Sequence, residues 1–347
     1  MKRISLPIFS LTLAALAMSS AAFAGNPDRA GSAGAGQLLM NPWSLSTGLA
    51  GSNMATITGV EAGFLNVAGM AFVERTELAF SNQQYLVGTG ITLNSLGFVQ
   101  AMGSGVFGVT VTSMSFGDIP ITTEDLPEGG IGSFSPSFSN IGISFAKAFS
   151  SSIYGGMTLR IISESISNTR AGGISIDAGI RYNAGDDGRL KFGIALRNVG
   201  PPLRYGGDGM SLTATPQGQA QSLTLLVRSE RFEMPSLVNI GFGYEIFRKE
   251  SLALVGTGQF TSNSFTKDNF SGGLELDFKD RVQLRVGYQH EDGIGSEETR
   301  TNAFTGPSAG FSAKFPTNGD GFIGIHYGYR TTNPFDGTHS LGFNISI

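Results

Sequence analysis

Between Ile174 and Asn198 apolar and polar residues alternate with a period of two. Ile174, Ile176, Ala178, Ile180 and Tyr182 interleave with Ser175, Asp177, Gly179 and Arg181. The polar run Asn183–Arg189 reverses the chain. Leu190, Phe192, Ile194 and Leu196 then interleave with Lys191, Gly193, Ala195 and Arg197. Such alternation predicts two antiparallel strands with one apolar and one polar face. Asp177, Arg181, Lys191 and Arg197 on the polar face are costly in a dry protein core. They suit a barrel whose apolar side meets lipid and whose charged side lines a wet lumen.

From Glu77 onward the same unit recurs about fourteen times, an even number as expected of an outer-membrane barrel. Connections alternate in length. Short ones fall at Met102-Gly103-Ser104, Ser150–Ser152, Asn183–Arg189 and Lys279-Asp280, and longer ones at Phe116–Ser139, Val199–Ser236 and His290–Ser308. Short periplasmic turns and long outer loops give that asymmetry. A large sheet cannot leave edges unpaired in lipid, so the last strand, with Leu341, Phe343, Ile345 and Ile347 on one face, is expected to close on the first. The predicted fold class is therefore all-β, a transmembrane antiparallel β-barrel.

The N-terminus breaks the pattern. Lys2 and Arg3, an apolar run to Met18, and Ala22-Phe23-Ala24 before Gly25 read as a secretory signal over residues 1–24. Residues 25–75 hold Gly31–Gly36, the turn Asn41-Pro42-Trp43 and scattered apolar residues without a strand period. They predict short helical or irregular pieces packed in the lumen as a plug or hatch; a disordered leader is the other reading. Residues 76–347 form the barrel.

Composition narrows the classes. With 50 glycines and only 14% charged residues, the chain is unlike an ordinary soluble domain. A net charge of −4 gives no basic footprint for nucleic acid, and no cysteine is present for disulfides or thiolate metal sites. The expected location is the cell outer membrane, with its lipid as the first partner.

The candidate chemistry is mainly ionic. Outward apolar faces would place Arg160, Asp177, Arg181, Lys191, Arg197, Glu275 and Arg285 in the lumen, as the lining of a ligand path or as a network that rigidifies the barrel and holds the plug. His326 shares its inward phase with Ser340, Asn344 and Ser346 on the next strand, a set that could form a lipase-type triad. An acyl ester lies at the lipid face, however, and these residues point away from it. No histidine pair has metal-ligand spacing, and the glycines of Gly241-Phe242-Gly243 lie inside a strand with no helix after it, so no cofactor is expected. The Val199–Ser236 connection, with its apolar run Leu223–Val227, reads equally as a small surface hairpin and as a lid or docking element.

Two short motifs carry a family resemblance. Asn66-Val67-Ala68-Gly69-Met70 resembles the Asn-Pro-Ala-Gly-Leu segment before the first strand of FadL-like barrels, with Val67 in place of the usual Pro. Arg197-Asn198-Val199-Gly200-Pro201-Pro202 resembles the Asn-Val-Gly-Pro element of the PorV/PorQ family. Asn66, Ala68, Gly69, Asn198, Gly200 and Pro201 are the matching positions. The resemblance implies a FadL-like barrel with an N-terminal segment in its lumen. It further implies an accessory role in type IX secretion, with secreted cargo C-terminal domains or other secretion-system components as partners at the outer loops. The competing expectation is a FadL-like transporter of hydrophobic small molecules, which a proline or bulge interrupting a strand would favour. No such proline lies within the strands located from the pattern.

Overall fold

A computed structural model describes residues 29–185, 187–218, 221–317 and 321–347. The signal segment predicted over residues 1–24 lies outside them. The alternating stretches form fourteen long strands: β1 (Thr76–Gln84), β2 (Thr92–Met102), β3 (Gly105–Ser115), β4 (Ser137–Ala148), β5 (Ile153–Ile166), β6 (Thr169–Ala184) and β7 (Leu190–Val199), then β8 (Leu237–Lys249), β9 (Leu252–Asn263), β10 (Asn269–Phe278), β11 (Val282–Glu291), β12 (Phe304–Pro316), β13 (Phe322–Thr332) and β14 (Thr338–Ser346). Each pairs antiparallel with its sequence neighbour, and β1 closes on β14 from Glu77 opposite Ser346 to Gln84 opposite His339. The ring therefore has no free edge, as lipid demands.

Side-chain direction follows the alternation. Ile141, Ile143 and Phe145 on β4, Ile176 and Ile180 on β6, and Ile194 and Leu196 on β7 are exposed on the outside. The intervening Ser144, Asp177, Arg181 and Arg197 are buried inside. No helix among the described residues is long and apolar enough to cross a membrane; the strands supply the apolar outer surface.

Two irregularities bear on the lumen. The β6/β7 ladder shifts register between Ile176 and Ala178, and β12 shifts between Phe304 and Ser308. The latter places Pro307 inside β12, where it stands opposite Tyr288. The alternation had located that strand only from Ala309, because the bulge destroys the period at its outer end. In the Val199–Ser236 connection, Leu203–Gly206 pairs with β6 and with Arg231–Phe232, and a separate hairpin joins Ser211–Ala214 to Leu223–Leu226.

Residues 35–72 lie inside the ring. They comprise 3-10 turns at Gly36–Leu39 and Val67–Phe72 and short helices α1 (Ser44–Thr47) and α2 (Ala62–Leu65). Trp43, Met54, Val60 and Met70 make an apolar cluster with Val99, Val106 and Ala146 of the wall. Helices this short have little intrinsic stability. They persist because the barrel supplies the surface that buries them.

Candidate functional site

The inner segment reaches the wall wherever the wall lacks a side chain. Gly97, Gly108, Gly179, Gly241, Gly273 and Gly328, on six different strands, face Val60, Met70, Asn66, Met54, Leu49 and Ser44 in turn. A Cβ at any of these glycines would lie 2.1–2.7 Å from the segment. Close approach, rather than backbone conformation, is what these glycines provide.

Asn66 shows how the sequence motif works. Its Oδ1 accepts from the Ala68 backbone N–H at 3.1 Å and caps the turn Val67–Phe72, while its Nδ2 donates to the Ile180 carbonyl of β6 at 3.1 Å. Gly179 and Gly193 leave the room: a Cβ on the first would sit 2.1 Å from Asn66 Oδ1 and on the second 3.0 Å from Nδ2. Ala68 is fully buried, and a Cβ at Gly69 would lie 2.2 Å from the Ile57 carbonyl oxygen. These residues fold the segment tightly and dock it to β6 and β7.

Three arginines tie the segment down further. Arg160 donates Nε to Asp177 Oδ2 at 2.6 Å and its terminal nitrogen to the Gly63 carbonyl at 2.9 Å. Arg181 reaches the Thr56 and Ile57 carbonyls at 3.4 and 3.2 Å and lies over the Phe72 ring, 4.1 Å from its centre. Arg197 bonds the Leu38 carbonyl at 3.3 Å and stacks over Phe64 at 3.9 Å. Carbonyl oxygens freed by the irregular backbone thus meet charged donors, which form the stronger kind of hydrogen bond.

Asp177 also holds the β6/β7 bulge. Its Oδ1 accepts from the Asn198 backbone N–H at 2.7 Å. Asn198 adopts φ 58° there, and its Nδ2 donates to the Pro235 carbonyl at 3.1 Å, fixing both ends of the Val199–Ser236 connection. A Cβ at Gly200 would lie 2.2 Å from the Ile174 carbonyl oxygen, and the exposed Pro201 leads the chain away from the wall.

The remaining charges sit elsewhere. Arg285 pairs with Glu275 at 2.5 Å and also donates to Ser312 Oγ at 2.5 Å and to Gln283. Lys191 is half-buried on β7, in the field of Arg181, Glu245 and Glu275, and forms no salt bridge among the described residues. His326 finds its serine on β12, the neighbour on its other side, rather than on β14. The antiparallel register sets Ser312 opposite His326, so Nδ1 meets Ser312 Oγ at 2.7 Å, and Nε2 meets Asn344 Oδ1 at 2.9 Å. Ser340 and Ser346 take no part in that chain. Ser312 and His326 are 0% and 2% exposed, so neither meets solvent from which an ester could arrive.

A cavity of about 330 Å³ opens above the segment, toward the strand ends that carry the long loops. Thr47, Ala50 and Phe64 of the segment border it below. Asn239, Gln259, Thr261, Ser271 and Gln289 line it from β8 to β11, and Arg197 and Arg330 border it on β7 and β13. The other side of this outer half is filled: Ala35 and Leu38 pack with Leu93, Met114, Phe138 and Ile162 of β2–β5.

The closed ring with its inner segment matches solved barrels over most of its length. The Pseudomonas putida toluene transporter TodX aligns with a TM-score of 0.56 at 13% identity, covering 87% of this chain and 96% of TodX. The fold is that of the FadL-like outer-membrane barrels. The monoaromatic hydrocarbon channel CymD (TM-score 0.52, 14% identity, 88% and 96% covered) and the Ralstonia pickettii toluene transporter TbuX (0.53, 11%, 87% and 96%) share it. No family model matches the chain, and no curated protein matches it. At these identities the likeness carries the FadL-like architecture alone.

Proposed function

We propose that this chain is an outer-membrane transporter of small molecules. The outer cavity holds the solute, and the inner segment gates the way below. The observation that carries this reading is a cavity above a seated segment, inside a FadL-like barrel. The bulges in β6/β7 and β12, with Pro307 inside the latter, also favour it, since interrupted ladders are where a barrel wall can yield. Its structural neighbours are channels and transporters of hydrocarbons by name, which makes toluene the first solute to try.

A second reading, the accessory role in type IX secretion, is favoured by one feature. The hairpin Ser211–Ala214/Leu223–Leu226 exposes Leu212, Leu223, Leu225 and Leu226 on an outer loop, a surface that could receive a cargo C-terminal domain. Proteoliposome uptake of labelled toluene and of a labelled monosaccharide, set against protein-free liposomes, separates the two readings. Passage of either solute supports the transporter. No passage, with secreted proteins co-purifying from the outer membrane, replaces it with the secretion role.

A further inference from the structure

We infer that the outer cavity is a binding site for a small hydroxyl-rich solute of the sugar class, neutral or carrying one carboxylate. The inference deepens the transport reading and rests on it for the direction of passage. The outer half of the lumen is divided chemically. Where Leu93, Met114, Phe138 and Ile162 face inward, residues of the inner segment cover them. Where the lumen is left open, the inward positions are Asn239, Gln259, Thr261, Ser271 and Gln289 instead. The apolar inward positions are thus mostly spent on seating the segment, and the vacant lining is largely amides and hydroxyls, with Leu237 and Phe304 among them.

Gln259 Nε2 donates to Thr261 Oγ1 at 3.1 Å, and Gln289 Oε1 accepts from Arg330. Asn239 Oδ1, Gln259 Oε1 and Ser271 Oγ are buried just behind the cavity surface and have no hydrogen-bond partner among the described residues. A hydrocarbon in this cavity would return no hydrogen bonds to these oxygens, and a buried acceptor left unpaired is costly. A hydroxyl both donates and accepts, so a polyol can satisfy amide oxygens, amide nitrogens and serine alike after small torsional adjustments. Phe64, Tyr85 and Phe304 also border the cavity, with Arg197 over the Phe64 ring and Arg330 over the Phe304 ring.

The charges set the tolerance for an acid group. Arg330, 3.8 Å over the Phe304 ring, bonds Gln289 at 2.6 Å, and Arg197 stacks on Phe64. Glu291 is held by Thr301 and by Asn302, the latter at 3.2 Å. Two guanidinium groups against one carboxylate leave the lining net cationic. At about 330 Å³ the space lies at the small end of the roughly 300–1,000 Å³ typical of ligand pockets, which suits one or two sugar rings.

The test is calorimetric titration of the full chain in lipid nanodiscs with glucose, glucuronate and toluene, each against empty nanodiscs. Saturable binding of glucose or glucuronate is expected. The double variant Asn239→Leu/Gln259→Leu should weaken it at least tenfold while keeping the heat-modifiable gel mobility of a folded barrel. Tighter binding of glucuronate than of glucose, with the excess lost in Arg330→Met, would identify the acid as the better ligand. Saturable heat from toluene alone, no saturable heat from any of the three, or a double variant with unchanged sugar affinity overturns the inference. Sugar binding without passage in proteoliposomes leaves the site standing and removes the transport reading. Passage of solute with no sugar binding does the reverse.

Discussion

Glu61 gives the sharpest test of how the inner segment is held. It lies between α1 and α2, almost wholly buried, with Ser46 Oγ 3.5 Å from its carboxylate. Burial pushes its carboxyl up from 4.5 to about 8; the Arg285 guanidinium opposes that rise, Glu77 adds to it, and the backbone amides of Ser46 and Leu45 oppose it. The seated segment therefore keeps a proton that the released segment gives up. Stability is full below about pH 4.5, falls as pH rises toward 8, and levels off once Glu61 ionises in place. At about 1.4 kcal/mol per unit over that window, the ceiling is about 5 kcal/mol, and each unit between pH 6 and 8 costs close to tenfold in the seating equilibrium. Glu61→Gln removes the titration while keeping an acceptor for Ser46. Hydrogen–deuterium exchange of residues 44–66, corrected for the intrinsic pH dependence of exchange, should show protection declining from pH 6 to 8 in the parent and flat in the variant. Superimposable profiles, or protection that grows with pH in the parent, would refute the reasoning.

Three further outcomes are expected. Asp177→Asn, which leaves Arg160 buried without its partner charge, should cost about 3–5 kcal/mol, read as a lower heat-modification midpoint; Arg160→Met/Asp177→Leu should recover a large part of the loss. Gly179→Leu puts a side chain where Asn66 Oδ1 stands, so residues 44–72 should become accessible to proteinase K from the periplasmic side while the barrel still folds. Ile194→Arg, at the middle of β7 on the outer face, should reduce insertion stability by about 2–4 kcal/mol, measured by folding yield into bilayers.

The strands were legible because one face of each meets lipid, which writes a period of two into the sequence with little interference. Arg160, Arg181 and Arg197 stood out for the same reason, as charges in an inward phase. Their partners did not, since Gly63, Ile57 and Leu38 contribute backbone carbonyls that carry no side-chain signal. Ser312 escaped notice because its pairing with His326 depends on the β12/β13 register across a turn. Pro307 fell outside the strand located from the pattern because the bulge at Phe304/Ser308 breaks the alternation just before it. The cavity was illegible for another reason: Asn239 and Gln259 resemble any lumen residues until the course of residues 33–40 shows which part of the lumen stays empty.

The row of bare glycines constrains the order of assembly. Contacts with the inner segment fall on both sides of the seam where β1 meets β14: Gly97 lies on β2, Gly328 and Gly342 on β13 and β14. The segment joins β1 directly, with Phe72 four residues before Thr76. A finished ring narrowed to this fit would have to take in Trp43, Met54 and Asn66 from its open ends. Seating the segment before β1 meets β14 avoids that route, whereas a chain that shut its seam early would start as an empty cylinder with glycine hollows facing one another.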